Sequence, residues 1–222
     1  FCHDESEFSA APIYIFSDDF NIYGANLGLS FAITDNISVS ATGYAGVMNF
    51  ANDIDDFDAN IYGGNFGISY KNHKIIFDAL AGFTNAKFYS DPVFNGKRVV
   101  SNPTGTSKYV FGEIGRRFKI TNDISVVPFV GFNADYSAVA DLHELDVNAH
   151  VGSDIVLYTR TGDISYKYGF RTRTATNGEI SCAFHINFWS DADDAGGDVQ
   201  VGTIHDDFGT TYNIRFGAKA NF

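Results

Sequence analysis

Methionine occurs once, cysteine twice and proline four times in these 222 residues, and helix-building runs are missing. No apolar stretch approaches the roughly 18–20 residues that a membrane-crossing helix requires. If the chain crosses a bilayer, it does so as a closed barrel, the one other structure that satisfies every backbone group in lipid. Two cysteines are too few for a disulfide framework. Cys182 reads as an inert apolar thiol, with a bridge to Cys2 as the lesser alternative. Positive charge is also scarce: 15 Lys and Arg face 27 Asp and Glu, a net −12 that disfavours a nucleic-acid partner. The chain opens on Phe1 and shows no charged start, apolar core and small-residue cleavage site. The expectation is a signal peptide already removed, or a fragment. No seam divides residues 1–222, which read as one barrel domain, with any signal peptide and passenger outside them.

What is abundant is ring and glycine: 22 Phe, 12 Tyr and 22 Gly, with 16% aromatic residues. This mixture favours strands. Tyr23, Ala25, Leu27, Leu29, Phe31 and Ile33 alternate with Gly24, Asn26, Gly28, Ser30 and Ala32. The same period of two runs through Ile124 to Tyr136, Ile164 to Phe170, Ile180 to Phe188 and Tyr212 to Phe222. Soluble sandwiches alternate too. Here, however, the strands often reach about twelve residues where soluble ones have about five or six, and the second face is Gly, Ser, Asn, Lys and Arg, which suits a wet lumen.

Ten strands stand out, at 22–33, 38–50, 59–70, 75–89, 108–118, 124–136, 144–159, 164–175, 179–189 and 208–222. Short connections at 34–37, 71–74, 119–123 and 160–163 suit periplasmic turns, and longer ones at 51–58, 90–107 and 137–143 suit outer loops. Ten strands would make 190–207 an oversized turn and leave Phe222 outside. A strand near 197–205 and another over Ala11 to Ser17 remove the conflict. The prediction is an all-β, antiparallel up-and-down transmembrane β-barrel of twelve strands, even in number as bacterial barrels are.

Arg117, Lys167, Arg171, Arg173, Arg215 and Lys219 fall within strands on the face away from lipid, where exposure at mid-bilayer would cost about 2–4 kcal/mol each. Glu113, Asp78, Asp135, Asp146 and Asp154 share that face and are candidate partners. Asp53, Asp55, Asp56 and Asp58 lack the glycine and spaced Glu of a calcium loop, so they read as a hydrated loop, as do Asp206 and Asp207. Asp141-Leu142-His143-Glu144 and His205-Asp206-Asp207 each set a His beside carboxylates, but no second constellation completes a protease site. The six His show no zinc spacing, and neither a nucleophile elbow nor a phosphate-cradling loop occurs. No catalytic residue, metal or cofactor is expected.

Gly112-Glu113-Ile114-Gly115-Arg116-Arg117-Phe118, followed by Ser125-Val126-Val127-Pro128-Phe129 and on to Tyr136, resembles the translocator (β) domain of autotransporters. The closing strand, with Gly217 and a terminal aromatic at Phe222, is also similar. The resemblance implies a twelve-stranded barrel in the bacterial outer membrane whose pore holds a helical linker to an attached, secreted passenger. It implies that Glu113, Arg117, Lys167, Arg171, Arg173, Arg215 and Lys219 line the lumen and contact that linker. Tyr212, Ile214, Phe216 and Phe222 would be the signal read by the barrel-assembly machinery, with the bilayer and lipopolysaccharide as surroundings. The alternative is a free-standing outer-membrane protein, either a small pore or a surface-loop adhesin.

Overall fold

The structure, a computed structural model, describes residues 6–16, 20–51, 56–89, 93–94, 97–98, 104–206 and 209–221. Twelve long strands run in sequence order: β1 (Glu7–Phe16), β2 (Phe20–Thr34), β3 (Ile37–Ala51), β4 (Asp56–Lys71), β5 (Ile75–Phe88) and β6 (Thr104–Arg116), then β7 (Ile124–Val139), β8 (Leu142–Thr161), β9 (Ile164–Ala175), β10 (Ile180–Ser190), β11 (Ala195–Asp206) and β12 (Gly209–Asn221). Each is antiparallel to the next, and β12 pairs with β1, from Phe16↔Tyr212 to Glu7↔Asn221, so the sheet closes on itself. No helix occurs among the described residues.

The period of two is the organising force. Outward positions carry rings and branched chains that remain open to the surroundings: Leu145 is 66% exposed, Phe66 58% and Phe216 54%. In water such a surface would drive aggregation, whereas in a bilayer it is what the solvent demands. One ring contact, Phe16–Tyr212 at 5.0 Å between centroids, crosses the outside of the closure, and Tyr14–Tyr23 at 4.8 Å joins β1 to β2 beside it. The buried apolar residues are few. Ala59, Phe88 and Val139 cluster with Met48 and Ala86 inside one end of the barrel.

That end, the loop end, is where β1, β3, β5, β7, β9 and β11 finish, with the turns at 140–141 and 176–179. The other, the terminal end, holds Glu7, Asn221 and the turns at 35–36, 72–74, 117–123, 162–163 and 191–194. Three terminal-end turns are closed by a side chain that accepts two backbone N–H bonds: Thr34 from Asn36 and Ile37, Asn72 from Lys74 and Ile75, and Thr121 from Asp123 and Ile124.

The strand at 195–206 contains the expected 197–205, and the first strand occupies 7–16 in place of 11–17. The outer connections differ from expectation. Val139 pairs with Leu142, so 137–143 is no loop but a two-residue turn, with Ala140 at φ 51. At 51–58, β3 runs to Ala51 and β4 starts at Asp56, and Asp53 and Asp55 lie outside the described residues. The physical reason at 137–143 is that Ser137 faces the wet interior, so its polarity does not end the strand.

Candidate functional site in the lumen

Inward positions divide the lumen into two walls. From β2 to β4 the inner face carries Asn26, Ser30, Ser38, Ser40, Thr42 and Asn65, without a formal charge until Lys71 at the end of β4. Tyr44 spans this wall, its hydroxyl donating to the Phe83 carbonyl at 3.1 Å and meeting Thr84 Oγ1. Gly63 leaves the space: a methyl group there would lie 2.5 Å from Tyr44 Oη. From β5 to β12 the wall is charged.

The densest part lies where β6, β7, β8 and β9 adjoin. Glu113, only 8% exposed, accepts a hydrogen bond from Arg171, whose side chain reaches back over two strands to meet it. On the way its guanidinium lies 4.2 Å from the centre of the Phe129 ring. His150, 2% exposed, has Nε2 3.4 Å from the same Glu113 carboxylate, and its ring stacks on Phe111 with centroids 5.3 Å apart. Gly131 pairs with both Glu113 and His150 and makes the room, since a methyl group on it would lie 2.5 Å from His150 Nε2. A buried carboxylate must be paired and bonded to remain charged, and Arg171 provides that.

A second knot joins the ends of the chain. Asp198 on β11 lies 3.7 Å from Arg215 Nε and 3.9 Å from Lys219 Nζ, and Lys219 is also 3.5 Å from Glu7 on β1. Arg173 pairs with Glu179 across the β9–β10 connection. Lys167 stands inward on β9, paired with Tyr158 on β8 and Asn187 on β10. The His185 ring lies over Gly169 on the neighbouring strand.

The structure thus brings Glu113, Arg171 and Arg173 into one region and Arg215 and Lys219 into another, with Lys167 on the wall between. Arg117 differs from expectation. β6 ends at Arg116, and Arg117 follows it, half-buried at the terminal mouth, its backbone N–H bonded to the Lys74 carbonyl at 2.7 Å. Pro128 stands in the facing stretch of β7 and has no N–H to continue the ladder. Asp78 and Asp135 engage serines, Ser69 for the first and Ser107 and Ser137 for the second, and Asp146 takes Asn148. The acidic partners missed in the sequence are Asp198, Glu179 and Glu7. Inward parity with Gln200 would have marked Asp198. His150 gave no signal, because its burial depends on the gap at Gly131.

His143 and Glu144 are successive strand residues on opposite faces and form no joint site. His205 Nδ1 meets Thr210 Oγ1 at 3.0 Å, and Asp207 lies outside the described residues. Among the described residues no group of three His, Cys, Asp or Glu could hold a metal. Cys182 is a free thiol on an outward position, and Cys2 lies outside the described residues. Tyr212, Ile214 and Phe216 form an outward row on β12, while Phe222 lies outside the described residues.

A closed antiparallel ring with an apolar exterior and a charged interior defines a transmembrane β-barrel of the bacterial outer membrane. The chain belongs to the autotransporter β-domain family, whose model matches residues 15–222. Solved structures share the fold at low identity. The translocator domain of the autotransporter NalP from Neisseria meningitidis superposes with a TM-score of 0.72 at 10% identity, covering 99% of this chain and 90% of that one. The β domain of the Bordetella autotransporter BrkA gives 0.70 at 12%, covering 98% and 99%. The COG4313 outer membrane channel of Pseudomonas putida F1 gives 0.61 at 11%, covering 99% and 96%. No curated protein matches the chain in sequence. The family is one of secretion domains, and the chain is an outer-membrane translocator barrel.

Proposed function

We propose that this barrel anchors an attached passenger and helps it to the cell surface, with its charged wall holding the connecting segment. The observation that carries this is the partnered charge along β6 to β12 inside a barrel of this family. Glu113, Lys167, Arg171, Arg173, Arg215 and Lys219 would contact the segment, with Arg117 meeting it at the terminal mouth. Charged groups on a lumen wall offer hydrogen bonds to a polar chain without a large apolar surface to trap it. Residues 1–222 act as one barrel, a conduit and not an enzyme. The terminal end faces the periplasm, and the loop end faces lipopolysaccharide. Tyr212, Ile214, Phe216 and Phe222 form the row read by the assembly machinery.

The test fuses an epitope through a helical linker ahead of Phe1 and labels intact cells. Surface labelling is expected, and it should fall when Arg171, Arg173 and Arg215 are all replaced by Gln. An epitope held inside cells whose barrel is inserted and shifts on boiling would refute the proposal.

A further inference from the structure

Arg171 does not take its nearest acid. Its direct cross-strand partner on the lumen wall is Asp154 of β8. The guanidinium instead leans back over β8 and β7 to Glu113 on β6, and Asp154 Oδ1 is buried without a hydrogen bond. His150 stands where that reach ends. It is 2% exposed, neither of its ring nitrogens has a hydrogen bond, and Nε2 lies 3.4 Å from Oε2 of Glu113, the oxygen that Arg171 holds. A buried polar group without a partner calls for an explanation. Here β8 carries two of them, His150 and Asp154, two inward steps apart, and the one arginine serves neither.

Among the described residues, the other groups around the ring are apolar or already engaged. β6 presents Phe111, stacked on it, and β7 presents Phe129 and Gly131. On β9 its register partner is Ala175, and the neighbouring inward residue, Arg173, is taken by Glu179 of the β9–β10 connection. Asp78 of β5, opposite Glu113, is bonded by Ser69 and lies 3.9 Å from Lys71. On the far side of Arg171, the next inward positions of β9 are Gly169, covered by the His185 ring, and Lys167, opposite Tyr158.

From this geometry we infer that Arg171 is a two-position switch in the lumen wall, thrown by one proton on His150. With the imidazole neutral, Arg171 holds Glu113. Histidine is the side chain whose charge changes between pH 5 and 8. A proton taken from the aqueous lumen turns the ring into an imidazolium, whose Nε2–H donates to Glu113 Oε2. Two cations compete for that one oxygen, and Arg171 falls back to Asp154, its register partner. One proton enters, and all four groups end in charge-assisted pairs. Charging a buried ring costs desolvation, which the two new pairs offset. The exchange carries a cation from the β6 side of the lumen to the β8–β9 side. Its effect on a connecting segment rests on the proposed function, whereas the exchange itself belongs to the wall alone.

The test is a pair of double-mutant cycles on the full chain folded in vesicles, read by urea unfolding at pH 7.5 and 5.5. One cycle combines Arg171→Gln with Glu113→Gln, the other Arg171→Gln with Asp154→Asn. A cycle cancels the titration of groups that neither substitution touches. On acidification the coupling of Arg171 to Glu113 should fall about ten-fold as an equilibrium constant, and its coupling to Asp154 should rise by about as much. In a His150→Phe background, where the ring can still stack on Phe111, both couplings should be the same at the two pH values. If that variant loses its boiling shift, His150→Gln, which cannot take the proton, replaces it. Either coupling unchanged by pH in the parent protein, or a change that survives the loss of His150, would overturn the switch. No passenger or epitope enters this experiment, so its result stands apart from that of the surface-labelling assay.

Discussion

Replacing Arg171 by Leu would strand the Glu113 carboxylate, 8% exposed, beside a His150 ring that offers it no hydrogen bond. Breaking a buried pair by removing one partner costs about 3–5 kcal/mol. The Arg171 side chain is 35% exposed to a wet lumen, so screening lowers the expected loss to about 2–3 kcal/mol. The contact with Phe129 adds about 0.5–1 kcal/mol to that figure. The diagnostic step is the second substitution. Glu113→Gln removes the stranded charge, and in that background Arg171→Leu should cost less than half as much. Trp189, the one tryptophan, gives the signal for urea unfolding of the barrel in vesicles. A double-mutant cycle then isolates the pair. If Arg171→Leu costs the same with and without Glu113→Gln, the pair does not hold this wall and the reasoning fails.

Gly169→Ala would place a methyl group where the His185 ring lies, and overpacking of this kind should cost about 1–3 kcal/mol. The same unfolding titration should show His185→Ser restoring most of it. Val151→Arg sets a charge midway along β8 on the lipid face, where 58% of Val151 is exposed, and should cost about 2–4 kcal/mol. Asn187→Arg, on an inward position, should cost far less in the same vesicles. Phe222→Asp should slow assembly in cells, read as a lower fraction of barrel that shifts on boiling, and normal assembly would remove Phe222 from the signal.

The outward rows were legible because lipid penalises every polar side chain it meets, so the pattern in β2, β7, β9, β10 and β12 is nearly free of exceptions. The inward rows obey no such rule. Ser137 looked like the start of a loop over 137–143, and only the pairing Val139↔Leu142 reveals that stretch as strand and tight turn. The candidate site was legible by parity, as with Arg171 and Lys219, but its partners were not. Arg171 meets a carboxylate 58 residues away in the chain, and sequence spacing says nothing of how far an arginine leans across neighbouring strands. Glu7 was hidden for another reason: it precedes Ala11, where the apolar pattern of the first strand begins.

The link from Asp198 through Lys219 to Glu7 has a consequence for assembly. It works like a clasp whose halves come from opposite ends of the chain, reinforced outside by Phe16 against Tyr212. Neither half has a partner until β12 exists, so an unfinished chain cannot fasten prematurely into a smaller ring. Fastening is the last and longest-range contact to form, and such contacts are slow. Until then β1 and β12 are two bare edges, open to a helper that offers a strand to each.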